Sequence, residues 1–97
     1  MIYRFLSPAY QEIAEAARYY DLKVPGLGAD FLEELESAIQ RIIQFPNAWG
    51  TISHPFRHCQ LRRFPYAVIY TLPKPGEILI VSVFHQSREP MTWKNNT

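Results

Sequence analysis

The feature that most constrains the fold is an amphipathic segment over residues 31–45. Apolar side chains recur there at steps of four and three residues, and acidic and polar residues occupy the opposite face. The apolar positions are Phe31, Leu35, Ala38, Ile42 and Phe45. This spacing predicts an α-helix about 24 Å long that buries one face against another element. Asp30 is the expected N-cap, and Pro46 should end the helix because the residue before a proline disfavours helical dihedral angles.

A second helix is predicted upstream of this one. Ser7-Pro8 joins a favoured capping residue to a proline at the first helical position, and apolar residues then recur at helical spacing to about Lys23. The sequence Pro25-Gly26-Leu27-Gly28 is typical of a tight turn. Because the connection is short, the two helices should form an antiparallel hairpin.

The remaining ordered segments have the patterns of β-strands. They are residues 2–6, the alternating segment 57–64, and the β-branched and aromatic segments 66–72 and 78–84. The last segment is apolar on both faces, which is typical of a central strand. The order β-α-α-β-β-β predicts one α+β domain over residues 1–97. In it the helical hairpin packs on one face of a mainly antiparallel, three- to four-stranded sheet.

Composition excludes several classes of protein. A chain of 97 residues with 47% apolar and 20% charged side chains is globular. It has no apolar run long enough to cross a bilayer and no signal-peptide pattern, so a cytoplasmic protein without membrane contact is expected. A single cysteine, Cys59, excludes a disulfide framework and is expected to be buried. His54, His58 and His85 lack metal-ligand spacing, so neither a metal nor another cofactor is expected.

Charge is distributed unevenly along the chain. Residues 1–48 hold four basic and seven acidic residues, a net charge of −3, whereas residues 49–97 hold six and two, a net charge of +4. The basic residues on the predicted strands should therefore lie on the sheet face that the helices leave free. Such a face suits an anionic partner; the alternative is a mixed, solvated surface without a binding role.

Four basic residues stand near the predicted strand ends. His85 directly follows the last strand, Arg88 comes three residues later, and Arg62 and Arg63 lie in the first strand of the meander. Histidine and arginine together are what phosphate recognition or nuclease chemistry requires, because imidazole can move a proton while guanidinium groups hold a phosphate. The alternative is that Arg62 and Arg63 only keep a sheet edge soluble.

Several blocks of the sequence together resemble the RelE/ParE superfamily of bacterial toxins from type II toxin–antitoxin modules. The blocks are the helical hairpin with its 25–31 turn, the Arg-Arg-Phe-Pro-Tyr segment at 62–66, and the His-x-x-Arg-x-Pro segment at 85–90 followed by Trp93. The resemblance covers nearly the whole chain. It implies a cognate antitoxin as partner and one of two activities: RelE-like members cut messenger RNA on the ribosome, whereas ParE-like members poison DNA gyrase.

The residues at the RelE active positions favour the ParE-like branch. Laid on the RelE pattern, the two strand lysines fall on His58 and Gln60, an arginine falls on Ala67, the catalytic arginine on Ser87 and the tyrosine on Trp93. The catalytic groups of a RelE-like site act together, so a chain that lacks most of them should cut RNA many orders of magnitude more slowly. The resemblance thus implies a non-enzymatic gyrase inhibitor whose target-binding residues are Arg62, Arg63, Arg88 and Trp93.

Two alternatives remain open at the level of sequence. The first is a RelE-like, ribosome-dependent mRNA endoribonuclease with a reduced active site, in which His58 or His85 is the acid–base group while Arg62 and Arg88 bind phosphate. The second is a decayed, non-toxic member that still binds an antitoxin.

Overall fold

The structure, a computed structural model, describes residues 1–97 and contains two helices and a five-stranded mixed sheet. In chain order the elements are β1 Ile2–Phe5, α1 Ser7–Lys23, α2 Leu27–Gln44, β2 Thr51–Ser53, β3 Phe56–Gln60, β4 Tyr66–Thr71, β5 Glu77–His85 and a C-terminal 3-10 helix, Thr92–Asn96. The strand order is β1-β5-β4-β3-β2, with β1 parallel to β5 and every other neighbouring pair antiparallel. Neither α-helix combines the length and hydropathy that a bilayer-spanning segment needs.

The predicted α+β class and the helical hairpin on the sheet are confirmed, but the predicted strand count is wrong. The sheet has five strands rather than three or four, because Thr51–Ser53 pairs with β3. Three residues are too few to show an alternating pattern, so the sequence carries no signal for this strand. The strand predicted to be central, β5, lies inside the sheet between β1 and β4.

One hydrophobic core fills the space between the hairpin and the sheet. Most of the predicted apolar face of α2 lies in it, with Phe31, Ala38 and Ile42 fully buried, and Cys59 is buried there as expected. The prediction is wrong for Phe45, which follows the last helical residue and is 62% exposed. Tyr70 is also fully buried, and its hydroxyl donates a 2.7 Å hydrogen bond to the Pro46 carbonyl. Burial raises the pKa of Tyr70 to about 12. Its hydroxyl thus stays a neutral donor at physiological pH.

The starts of both helices differ from the predicted caps. The α2 helix begins at Leu27, so Asp30 lies inside the helix and is not its N-cap. The preceding helix supplies the cap instead: Asp21 Oδ1 accepts a 2.8 Å hydrogen bond from the backbone N–H of Gly28. The α1 helix begins at Ser7, whose side chain makes no capping bond. Only Leu6 separates β1 from α1, and its backbone N–H donates a hydrogen bond to the Ile80 carbonyl of β5.

The second face of the sheet is apolar and is covered by the C-terminal segment, so the predicted basic sheet face is wrong. Residues 86–97, named the tail from here on, fold back so that Trp93 packs against Ile69, Val81 and Phe84. The Trp93 and Phe56 rings meet edge to face with centroids 5.0 Å apart. The clustering of basic residues in the second half of the sequence therefore does not place them on one sheet face.

A bulge in β5 sets which side chains face the hairpin. Ile80 pairs with Tyr70 and Ser82 pairs with Ile69, which leaves Val81 without a partner of its own. Because side chains alternate along a strand, the extra residue shifts the alternation by one position. Ile80 and Val83 consequently both belong to the core under the helices.

Gly28 lets the two helices approach closely. A Cβ built on it would lie 2.5 Å from the Ala17 carbonyl oxygen and 2.8 Å from Asp21 Oδ1. We expect Gly28→Ala to lower the free energy of unfolding by about 1–3 kcal/mol, because the helices would have to move apart. Urea denaturation measures this, and Gly50→Ala is the matched control since its Cβ would have no neighbour closer than 3.5 Å. An equally stable Gly28→Ala variant would mean that the helices separate without cost.

Candidate functional site

Three of the residues singled out in the sequence, His58, Arg88 and Trp93, line one cavity on the sheet face opposite the hairpin. Its volume is about 320 Å³, and the rest of its wall is mostly apolar. The cavity lies between the strands and the tail. Trp93 is only 3% exposed, so its indole holds the tail in place and does not project into solvent.

Arg88 links this cavity to a second one on the hairpin side. Its guanidinium lies 3.7 Å from Glu12 Oε2 and over the Phe84 ring, 5.4 Å from the centroid. The second cavity, also about 320 Å³, is lined in part by Glu12, Glu15, Tyr66, His85 and Arg88. Arg88 is 55% exposed at its side chain and is therefore accessible from solvent.

Glu12 is the residue that organises this end of the molecule, and nothing in the sequence singled it out. Its Oε1 accepts hydrogen bonds from the Ser82 hydroxyl at 2.8 Å and the Val83 backbone N–H at 3.1 Å. The Asn96 amide donates to both carboxylate oxygens at 3.4 Å and to the Val81 carbonyl at 3.1 Å. β1 pairs with β5 only as far as Ile80. Beyond that point, Glu12 and Asn96 form hydrogen bonds with the backbone N–H of Val83 and the carbonyl of Val81 on the edge of β5. These partners are about 70 residues or more apart in the chain, too far for any local pattern.

His85 lies on the opposite side of the sheet from His58. Its ring packs edge to face on Tyr66 with centroids 4.8 Å apart, beneath the hairpin. His85 Nδ1 accepts a 3.0 Å hydrogen bond from the Ser87 N–H, so the neutral ring carries its proton on Nε2. The Ser87 hydroxyl lies 2.7 Å from the same nitrogen. The two histidines therefore cannot act on one group.

The prediction that Arg62 and Arg63 lie in a strand is wrong. Both residues lie in the turn that follows β3. The turn forms because Glu34 Oε1 accepts the backbone N–H groups of both arginines, at 3.0 and 3.2 Å. The Arg63 guanidinium lies 3.8 Å from Asp30 Oδ2, whereas Arg62 forms no ion pair. The structure does not bring this pair into either cavity that contains Arg88.

Arg62 instead lines a cavity of about 350 Å³ with Arg41, Trp49 and His58. Sequence reasoning missed Arg41 and Trp49 here, because Arg41 sits on the polar face of a helix and looks solvated. Burial raises the pKa of the Cys59 thiol, while the nearby guanidiniums of Arg41 and Arg62 act in the opposite direction.

The histidines near these cavities differ in the groups that surround them. The histidines do not join acidic or thiol groups in any set of three that could bind a metal ion. His58 is the only imidazole that lines the Arg88 cavity on this face or the Arg62 cavity. His54 lies in a separate small cavity with Arg57 and Thr71. The arrangement offers exposed guanidinium groups around a single imidazole.

Fold and site together define a small α+β domain in which a helical hairpin covers a mixed sheet edged by exposed arginines. Residues 3–90 match a family profile described as the ParE toxin of the type II toxin–antitoxin system, parDE. The chain belongs to this family, and it is a ParE-type toxin of a type II toxin–antitoxin system. This confirms the resemblance seen in the sequence and its ParE-like branch.

A solved structure has a similar fold. It is described as the chromosomal ParDE TA system from P. aeruginosa and superposes with a TM-score of 0.76 at 17% sequence identity. The similarity covers 88% of this chain and 95% of that chain. No curated protein sequence matches the chain. At this identity the structural match supports the fold alone.

The Glu12 contacts generate a stability prediction. Glu12→Ala should lower the free energy of unfolding by about 1–3 kcal/mol, because it removes the acceptor for the fully buried Ser82 hydroxyl. Glu12→Gln keeps that acceptor but loses the partly exposed pair with Arg88 and the Asn96 hydrogen bond to Oε2, so it should cost less than Glu12→Ala, about 0.5–1.5 kcal/mol. Glu15→Ala, on the same helix and exposed, is the control. Thermal unfolding of the three variants would contradict this role of Glu12 if all had the same midpoint.

Proposed function

We propose that this toxin stops bacterial growth by binding and poisoning DNA gyrase, and that a cognate antitoxin neutralises it. The observation that carries the proposal is the position of the two histidines on opposite faces of the sheet. Cleavage of RNA through the 2′-hydroxyl needs one group to take a proton and another to give one to the leaving oxygen. The open-face cavity provides one imidazole only.

The other side chains at the RelE-like positions support the same conclusion. Gln60 and Ala67 cannot transfer a proton or carry charge, and Trp93 has no hydroxyl. Arg88, the nearest match to the catalytic arginine, is paired with Glu12. A site with these residues favours binding of a macromolecule over catalysis, so no cofactor or metal is required.

The target-binding surface we propose comprises Arg88, Trp93, Arg62 and Arg63. The cavities of Arg88 and Arg62 adjoin at His58, which makes the surface continuous from the tail to the turn after β3. Exposed arginines suit protein interfaces because they combine a charge with a flat, weakly hydrated group. Trp93 contributes by fixing the position of the tail.

The antitoxin is proposed to bind the outer side of the helical hairpin. Several large apolar side chains are exposed there, including Leu22 at 81%, Tyr19 and Val24 at 54% each, and Leu32 at 44%. A groove of about 650 Å³ runs between the helices beside Leu22, Leu32 and Gly28. An amphipathic helix of the antitoxin would bury these side chains in the groove.

The first test of the proposed target is pulse labelling minutes after the toxin is induced without its antitoxin. We expect thymidine incorporation to fall while methionine incorporation continues, because inhibition of gyrase stops DNA synthesis first. Arg88→Ala should weaken this effect with little change in the thermal midpoint, since its ion pair is more than half exposed on the arginine side. Arg18→Ala, an exposed arginine on α1, is the matched control.

One observation keeps the endoribonuclease as a second candidate. His58 lies where the cavities of Arg62 and Arg88 adjoin, so a phosphate beside it could be held from both sides. If methionine incorporation stops first, and His58→Ala abolishes that effect with the fold intact, the nuclease becomes the working mechanism. His85→Ala should then have no effect, since His85 faces the hairpin.

The antitoxin surface has its own test. Leu22→Asp should leave toxicity unchanged, because the side chain is 81% exposed and lines none of the cavities that contain Arg62 or Arg88. It should abolish rescue when the antitoxin is co-expressed, because a charge would be buried in the proposed groove. Growth of cells carrying toxin and antitoxin measures the result, with Leu22→Met as the apolar control. Rescue of Leu22→Asp as efficient as that of the unaltered toxin would place the antitoxin elsewhere.

A further inference from the structure

We propose that the cavity between the sheet and the tail binds a small aromatic carboxylate. The rings of the ligand would pack between the strands and Met91, and its carboxylate would bind the Arg88 guanidinium. The volume of about 320 Å³ lies at the lower end of the range of small-ligand pockets and suits a molecule with one or two rings. This ligand site does not depend on which macromolecule the toxin inhibits.

The wall of the cavity is mostly apolar and comes from two layers of the fold. The sheet contributes Ala67, Ile69 and Phe84, which are at most 8% exposed, and the tail contributes Met91 and Trp93. A ligand pocket typically combines such a wall with a few polar groups that fix the orientation of the ligand. The wall therefore favours a ligand whose body is apolar.

Met91 gives the cavity an adaptable side. Its φ angle of 68° lies in the left-handed region, which few residues other than glycine adopt. The chain turns here into the 3-10 helix, and Pro90, Met91 and Trp93 all line the cavity. The Met91 side chain is 42% exposed, and a flexible thioether makes favourable contacts with aromatic rings. The tail thus favours an aromatic ligand over an aliphatic one.

Arg88 supplies the charge at the edge of this apolar wall. Its guanidinium lies over the Phe84 ring, and its 3.7 Å separation from Glu12 Oε2 is longer than a hydrogen bond. The N–H groups of the guanidinium are therefore available, and two of them can bind a carboxylate in parallel. Glu12 would repel a second negative charge on the ligand. A singly charged carboxylate consequently suits this position better than a doubly charged phosphate.

The test is NMR spectroscopy of the purified full-length toxin, isotope-labelled at its methionine methyl groups. The chain has two methionines: Met91 lines the cavity, whereas Met1 precedes the edge strand β1 and serves as the internal control. The probe is naphthoate, and naphthamide is its neutral analogue with the same rings. We expect naphthoate to shift the Met91 signal until it saturates and to leave the Met1 signal in place. Naphthamide should bind about tenfold more weakly, because it lacks the charged hydrogen bonds.

Arg88→Gln separates the contribution of charge from that of the apolar wall. It should weaken the binding of naphthoate about tenfold, to the affinity of naphthamide, and should leave the affinity for naphthamide unchanged. Arg18→Gln is the matched control, because it removes the same charge from an exposed position on α1. It should change neither affinity.

Ala67→Leu fills the cavity from the side of the sheet. It should weaken the binding of both probes by about tenfold or more, and the thermal midpoint should stay the same or rise because the new side chain occupies empty volume. Ala14→Leu adds the same side chain to an exposed position on α1 and should leave both affinities unchanged. If Ala67→Leu lowers the midpoint, the comparison of Arg88→Gln with Arg18→Gln decides the proposal by itself.

Three results would overturn the proposal. The first is a Met91 signal that does not move with naphthoate up to about 5 mM, a concentration above the dissociation constant expected for a ligand of this size. The second is equal affinity for naphthoate and naphthamide, which would mean that Arg88 does not hold the carboxylate. The third is an equal shift of the Met1 and Met91 signals, which would mean non-specific binding. The assay contains neither gyrase nor antitoxin, so its outcome is separate from the proposed function.

Discussion

The fold depends on the need to cover β5 on both faces. Ile80, Val81 and Val83 are all essentially inaccessible to solvent, although their side chains point to different sides of the sheet. A strand that is apolar on both faces must have one layer above it and another below. The hairpin supplies the first layer and the tail the second, and Glu12 joins them because it reaches from α1 past the edge of β5 to Asn96. The tail is therefore part of the core and not an appendage.

Most of the fold could be predicted from the sequence, because its strongest signals are local. Apolar residues spaced by three and four positions predicted the buried face of α2. A run that is apolar on both faces predicted that β5 lies inside the sheet. The predictions failed where a distant group decides the local structure. Asp21 supplies the cap of α2 from the preceding helix, and β2 exists only because β3 offers it a partner.

The candidate site was less predictable than the fold, for a physical reason. A basic residue that looks solvated on one element gains a role only from what a second element places beside it. Arg41 reads as part of a polar helix face, yet the end of β3 brings Arg62 and His58 into the same cavity. Glu12 likewise reads as one of several helix carboxylates. Its role arises from groups about 70 residues away.

The bulge at Val81 adds a side chain to β5 and leaves the faces of the residues on either side of it unchanged. Val81 has no partner on β4, so a strand that lacked it would keep the pairs Ile80–Tyr70 and Ser82–Ile69 and would leave His85 beside Tyr66 under the hairpin. The extra side chain packs with Ile69, Phe84 and Trp93 beneath the tail. The bulge therefore gives the tail an additional apolar contact, whereas the pairing of the strands themselves keeps His85 and His58 on opposite faces of the sheet.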